Sequence, residues 1–334
     1  MDLKYLISFS NTLLLLFKKY GIYLLKVFVT VGLLAYFLTR IKFEKILFGL
    51  KFVDFSIFGV VVLLFFVNLF LQFVRWKTLV KTVAKNVQTK EILESLLIGI
   101  SAGSFTPGRT GEYFLRKLPL KEVSFSTVIT LTFIDKMMLL INVIFWGSIV
   151  SFGMMIYYYN VDWFIVFSLF IIFVSVFAGL FSLLYSKRFY NFLKDIISKL
   201  PMKFELVKKL IKPLAELDNK LISKLLVLAF LNFSVIIFQF SLIVFAFDSH
   251  LRFENLVIAS ILVFFGKTLI PAISLGEIGV REGASIYFFG IFGCSESFAF
   301  NASLLLFVVN LFLPSLVGLI LLLKLKRIDR NWQV

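Results

Sequence analysis

The sequence predicts an all-α polytopic membrane protein of about six to eight transmembrane helices, with two Pro/Gly-broken re-entrant segments arranged as inverted repeats. Three observations carry this expectation. The 334 residues are 60% hydrophobic and 16% charged, with a mean hydropathy of +0.99, well beyond the roughly 45–50% apolar content of a soluble domain. Apolar runs of about 18 or more residues recur, long enough at 1.5 Å per residue to cross a hydrocarbon core of about 30 Å. Two further apolar runs stop at a proline, and each is followed by a Gly-Glu-x-x-x-Arg sequence.

Taken in order, the N-terminal stretch MDLKYLISFSNTLLLLFKKYG reads as an interfacial helix, because no small-residue cleavage site follows its apolar part. Full spans are expected near 22–39, 54–74, 123–150, 162–185, 222–247 and 299–323. Three shorter or broken pieces lie near 92–106, 255–275 and 283–293, the first two running into Pro107 and Pro271. The whole of 1–334 reads as a single integral membrane domain. Half 1 covers about 1–186, a cytoplasmic amphipathic connection about 187–221, and half 2 about 222–334. Apolar residues recur at helical spacing in that connection, from Phe189 to Leu200 and again from Phe204 to Leu214, as in helices lying on the inner leaflet.

Orientation follows Lys and Arg. Residues 187–224 hold ten of them, and the tail carries Lys324, Lys326, Arg327 and Arg330, so both are expected in the cytoplasm. The basic residues between Arg75 and Lys121 bring that region to the same side, making 92–111 a re-entrant element, while the broken segment 255–282 would enter from the outer face. Loop 40–51, with Arg40, Lys42, Lys45 and Lys51, falls outside in this scheme and runs against the rule.

The net charge of +16 would suggest nucleic acid in a soluble protein. Here the cations sit in short connections, where the positive-inside rule and anionic lipid headgroups account for them, and no nucleic-acid module accompanies them. Cys294 is the only cysteine and His250 the only histidine, which excludes an intrachain disulfide and a thiolate cluster and argues against zinc chemistry and a Ser/His/Asp triad; His250, in the short polar link Asp248-Ser249-His250, reads as an interfacial side chain rather than a catalytic base. An oxygen-ligated ion stays open. No metal site and no cofactor is expected, and no Gly-x4-Gly-Lys-Ser/Thr phosphate loop is present. The 44 Phe residues read as a lipid-facing surface.

The chemistry concentrates in the two motifs. SAGSFTPGRTGEYFLRK contains Pro107, Arg109, Gly111, Glu112 and Arg116; KTLIPAISLGEIGVREG contains Pro271, Gly276, Glu277, Gly279, Arg281 and Glu282. Proline removes a backbone donor and glycine opens conformations closed to other residues, so a helix breaks here. Broken backbone at membrane depth survives only where it is buried in protein or lines a wet cavity. Glu and Arg four residues apart can pair on one helix face, or hold the two charges of a zwitterionic headgroup. Matching interruptions in two halves point to a transport site between inverted repeats; ordinary polar turns stapled by ion pairs are the plainer reading. Among other charges in apolar sequence, Asp135 reads either as a cavity group or as the partner of a motif arginine. Lys267 reads as a snorkelling side chain or a cavity group. Arg75 and Trp76 close a span, the usual place of an interfacial anchor, but Asn68 and Gln72 on the same face hint at more, and Arg75, with Lys267, is a secondary candidate for the translocation site.

The segments FTPGRTGEYFLR and PAISLGEIGVREG, with Arg75-Trp76 and Asp135, resemble the lysylphosphatidylglycerol synthase transmembrane (flippase-like) family over nearly the whole chain. Gly279, Arg281, Glu282 and Gly283 match its Gly-x-Arg-Glu-Gly pattern. The chain departs from the family at Leu131 and Thr132, where Glu-Arg is common, and at Glu277, where a second glycine is common. Larger relatives fuse this region to a soluble domain that aminoacylates lipid. Because this chain stops at Val334, about ten residues past the last span, no such domain and no enzymatic activity is expected in it.

The resemblance implies a multi-pass inner-membrane protein that translocates a phospholipid or polyprenyl-linked headgroup between leaflets, with membrane lipids as partners. A separate lipid synthase or glycosyltransferase is a further candidate partner. Arg109, Arg116 and Arg281 would bind lipid phosphate, and Glu112, Glu277, Glu282 and Asp135 would pair with them or contact a cationic headgroup. Two alternatives stand beside it: a membrane enzyme acting on lipid-linked substrates, and a non-transporting scaffold for a separate enzyme.

Overall fold

The computed structural model describes residues 54–106, 108–186, 217–270 and 279–331, with short pieces at 191–192, 195–196, 198–199 and 213–214. The N-terminal helix, the 22–39 span, loop 40–51 and most of the amphipathic connection lie outside the described residues, as do Pro107, Pro271, Gly276 and Glu277.

Every element found is helical. The first half contributes α1 (Phe55–Val83), α2 (Thr89–Ser104), α3 (Gly111–Leu115), α4 (Phe125–Tyr157) and α5 (Trp163–Tyr185). The second contributes α6 (Asn219–Phe247), α7 (Phe253–Leu269), α8 (Val280–Ile291) and α9 (Glu296–Phe307), which continues through a π turn (Val308–Phe312) into α10 (Leu313–Asn331). The starts are capped as their sequences dictate. Asp54 accepts from the Ser56 N–H at 2.8 Å, Ser124 from Thr127 at 3.2 Å and Asp218 from Leu221 at 2.7 Å.

Among the described residues five stretches are long and apolar enough to span a bilayer: Ser56–Val83, Phe125–Tyr157, Trp163–Ser182, Asn219–Phe247 and Glu296–Leu325. They coincide with five of the predicted spans. The first runs nine residues further than predicted, to Val83, because Arg75, which depresses the hydropathy there, is buried against protein. The interrupted pieces form the short helices: α2, α7 and α8 have 16, 17 and 12 residues, about 24, 26 and 18 Å long, less than the hydrocarbon thickness.

The halves interleave around α6, which packs on α1, α4, α7 and α9, while α2 packs along α10. α1 and α6 run antiparallel. The Asp54 N–H donates to the Ala246 carbonyl at 2.9 Å, Gln239 Nε2 to the Val61 carbonyl at 2.9 Å and Asn232 Nδ2 to the Asn68 carbonyl at 3.3 Å. The partners step by seven residues on both helices, the repeat of a coiled-coil seam.

Two apolar clusters flank the middle of that seam. One gathers Trp76, Leu79, Ile92, Leu120 and Leu131 with Leu225 and Ala229; the other gathers Phe233, Phe240 and Val244 with Val61, Phe289 and Leu306. Asn232 falls between them, at mid-length of α6, opposite Asn68 at mid-length of α1. A polar layer therefore crosses the bundle where both helices are halfway along. α5 stands at the periphery with Phe164, Phe167, Ile171 and Ile172 exposed, an apolar surface suited to contact with lipid.

Candidate functional site

The first motif builds its site on α2. A Cβ on Gly99 would lie 2.4 Å from Arg116 Cγ and one on Gly103 2.6 Å from Glu112 Cγ, so this Gly-x-x-x-Gly step is the shelf on which both charged side chains rest. Just before α3 the chain turns through Gly108 (φ 60°) and Arg109 (φ 55°). The left-handed conformation at Arg109, uncommon for a residue with a side chain, costs on the order of 1 kcal/mol and places its guanidinium on Glu112. The Gly111 N–H closes the turn by donating to Thr106 Oγ1 at 2.8 Å.

Glu112 is fully buried and takes three cations: Arg109, Arg116 at 3.1 Å and Lys136 at 2.5 Å. Arg116 and Glu112 realise the i,i+4 pairing that their spacing allows. Arg116 also donates to Asp135 Oδ2 at 3.2 Å and stacks over Trp76, 4.4 Å from the ring centroid. The other oxygen of Asp135 accepts from Arg75 Nε. Of its two readings, the structure thus gives Asp135 the partnership with arginine. Four cations and two carboxylates form one network, deep in protein where each would be prohibitive alone.

Arg75 and Trp76 correct the sequence expectation. They are 1% and 0% exposed, not an interfacial anchor: Trp76 Nε1 donates to Ser95 Oγ at 3.2 Å, and Arg75 Nη1 donates to Asn232 Oδ1 at 3.2 Å. Hydropathy sees a charge and assigns it to the surface, whereas here the partner carboxylate comes from another helix. Arg75 and Arg116 supply the cations for Asp135, while Thr132 instead bonds its own helix, at the Val128 carbonyl.

From Arg75 the network passes into amides. Asn232 donates to Asn68, Gln72 Nε2 to Asn68 Oδ1 at 3.2 Å, Asn68 Nδ2 to Asn310 Oδ1 at 2.6 Å and Asn310 Nδ2 to Gln239 Oε1 at 2.8 Å. Asn310 lies in the π turn, a feature frequent at functional sites. Asn232, Gln239 and Asn310 were missed from sequence; each is a lone amide in an apolar helix. The Gly99–Gly103 spacing, a small-residue pattern for close helix approach, was the signal overlooked in α2.

The second motif folds differently from the first. Gly279 begins α8 at φ 92°, ψ −47°, and its N–H donates to Glu282 Oε2 at 2.6 Å. Arg281 donates to Glu282 Oε1 at 2.8 Å and to Ser303 Oγ at 2.9 Å; Ser303 in turn donates to Glu282 at 2.9 Å. Among the described residues the partner of Arg281 is thus its neighbour Glu282.

Both motifs meet at a cavity of about 90 Å³ whose polar lining is Arg109, Lys267, Arg281, Asn68, Gln72 and Asn310. Lys267 is partly buried there, with Nζ 4.7 Å from the Phe264 ring centroid, facing the cavity. Arg75, Glu112, Arg116, Asp135 and Glu282 stand behind the lining. Among the described residues no group of three His, Cys, Asp or Glu side chains is placed to hold a metal ion.

No curated protein and no solved structure matches this chain. The sequence profile described as "Lysylphosphatidylglycerol synthase TM region" matches residues 23–318, which takes in the described spans nearly whole, both motifs, the ion network and the cavity. This multi-pass helical membrane protein belongs to the lysylphosphatidylglycerol synthase TM-region family.

Proposed function

We propose that the chain is a flippase-like transporter that carries the headgroup of a phospholipid or polyprenyl-linked lipid between the leaflets of the inner membrane, with its C-terminus in the cytoplasm. The supporting observation is the polar cavity between the two motifs, level with the middle of α1 and α6. A headgroup crossing the bilayer needs a polar station near the midplane, and broken helices at a repeat interface are the usual way to build one.

Arg109 is the mobile partner in this reading. Its side chain is 28% exposed and rests on a fully buried Glu112, so an arriving phosphate exchanges with the carboxylate for the same guanidinium. Arg116 and Asp135, locked by Arg75 and Trp76, keep the shelf rigid. Movement is downhill or coupled to protons through a carboxylate.

The test is reconstitution into liposomes carrying a trace of fluorescent phospholipid, with inward translocation scored by protection from a membrane-impermeant quencher. Arg281→Ala and Glu112→Gln should each slow translocation by about tenfold or more, the loss of one charged contact of about 1.4 kcal/mol or greater. Equal rates in wild type and both variants, with monodisperse folded protein, would remove the cavity from the transport path.

A further inference from the structure

We infer that a slot between α4, α6 and α7 seats one unbranched acyl chain of a membrane phospholipid, next to the polar cavity. The seat rests on geometry; that its chain belongs to the transported lipid rests on the transport reading above and narrows that reading to phospholipids.

The slot has a volume of about 250 Å³ and is walled by Trp146 of α4, by Phe230, Phe233 and Phe238 of α6, and by Val257 and Ile261 of α7. Ser234 adds a hydroxyl, and among the described residues no charged side chain lines it. Phe230 and Phe238 are 39% and 45% exposed, so the slot opens on the side of the bundle. It runs past the middle of α6, at a depth where the surroundings are hydrocarbon and an apolar void does not hold water. One turn beyond Ile261 it closes: α7 crosses α4 so tightly that a Cβ on Gly147 would collide with the Phe265 ring.

Its shape selects the occupant. From Phe230 to Phe238 a helix rises about 12 Å, so the volume corresponds to a mean section of about 20 Å². An α-helix with its side chains is about 10–12 Å across, roughly 80–110 Å² in section, too thick for the slot whether it came from this chain or from a second copy. A polymethylene chain whose carbons meet their neighbours at about 4 Å needs roughly 20 Å². The methyl branches of a prenyl chain make it thicker.

Slot and cavity share a partition. On α6, Phe233 and Ile237 face the slot and Ile236 the cavity; on α7, Ile261 faces the slot and Phe264 the cavity. The Phe233 and Phe264 rings meet edge to face, with centroids 6.5 Å apart. An apolar seat and a polar one thus lie one ring pair apart, the arrangement that an amphiphile with one chain and one headgroup to place requires.

The probe is phosphatidylglycerol with a diazirine midway along one acyl chain, photolysed in proteoliposomes and mapped by mass spectrometry, with a diazirine-bearing prenyl phosphate as a second arm. The exposed Ile171 and Ile172 of α5 report contact with bulk lipid. Ser234→Trp and Val257→Trp each fill the slot, and Ser234→Ala leaves it open. Translocation of fluorescent phospholipid is scored in parallel.

The acyl probe should label residues 230–238 and 257–261 at least about fivefold above 171–172. Either filled variant, folded and monodisperse, should bring that labelling to the α5 level and slow translocation by about tenfold, while Ser234→Ala matches wild type. Equal labelling of slot and α5 in wild type would overturn the seat and leave transport standing. Stronger labelling of the slot by the prenyl probe would overturn the acyl assignment. Slot labelling in a protein that moves no lipid keeps the seat and removes the transport reading. Filled variants that lose the label yet translocate at the wild-type rate would overturn the assignment of the chain to the transported lipid.

Discussion

Replacing Asp135 by asparagine keeps the side-chain volume and one acceptor but removes the charge that Arg75 and Arg116 share. Taking away one partner of a buried ion pair costs about 3–5 kcal/mol, because the other is left as an uncompensated charge. Here the low end applies: Arg116 retains Glu112 at 3.1 Å and the Trp76 face at 4.4 Å, and Arg75 retains Asn232 at 3.2 Å. A loss of about 3 kcal/mol is expected, read as a fall of about 5 °C in the melting temperature of the detergent-solubilised protein. Arg75→Met provides the other corner of a double-mutant cycle. With both charges gone the pair is absent rather than broken, so Arg75→Met/Asp135→Asn should be less damaged than the two single changes added together, by about 2 kcal/mol. Additivity within about 0.5 kcal/mol, or an Asp135→Asn protein as stable as wild type, would refute the view that this pair fixes α1 to α4.

Further expectations follow from local geometry. Gly99→Ala and Gly103→Ala press a methyl group onto Arg116 and Glu112 at 2.4 and 2.6 Å and should each cost about 1–3 kcal/mol in unfolding measurements. Gly59→Ala, with nothing within 4 Å, should be neutral or slightly stabilising. Gly279→Ala must hold an alanine at φ 92°, a strain of about 1–3 kcal/mol, and should lower both thermal stability and transport. Burial pushes the Cys294 thiol up to about 12. At pH 8 only about one thiol in ten thousand is then the reactive thiolate, so maleimide labelling followed by mass spectrometry should be slow in the native protein and fast after unfolding in detergent. Equal rates would mean that the turn before α9 is open.

Much of the architecture was legible because hydropathy is a property of each segment alone. Lengths and apolar content were enough to place the starts of the spans at Phe125, Trp163, Asn219 and Glu296 within three residues, and a proline or a glycine marked where α2 ends and α8 begins. Pairing was legible only where it was local: Glu112 and Arg116 lie four apart on one turn, and they meet. Pairing across helices was not. Arg75 finds Asp135 sixty residues on, and Asn68 finds Asn310 from the other half of the chain; sequence distance carries no trace of either.

The sequence by itself determined that this protein lives in a membrane, that its helices break at two related places, and which charged residues travel with those breaks. Each follows from side-chain solvation and backbone chemistry, which do not depend on neighbours distant in the chain. Only the tertiary structure decided which charges pair with one another and which side chains line the cavity. The antiparallel seam of α1 and α6 brings Asn68 and Asn232 into one layer, the Gly99–Gly103 shelf lets Arg116 lie flat beneath Asp135, and Arg109, Lys267 and Arg281 are left lining one space. In a low-dielectric interior the energy of a charge is set by the few ångströms around it, and those are fixed by how the helices pack.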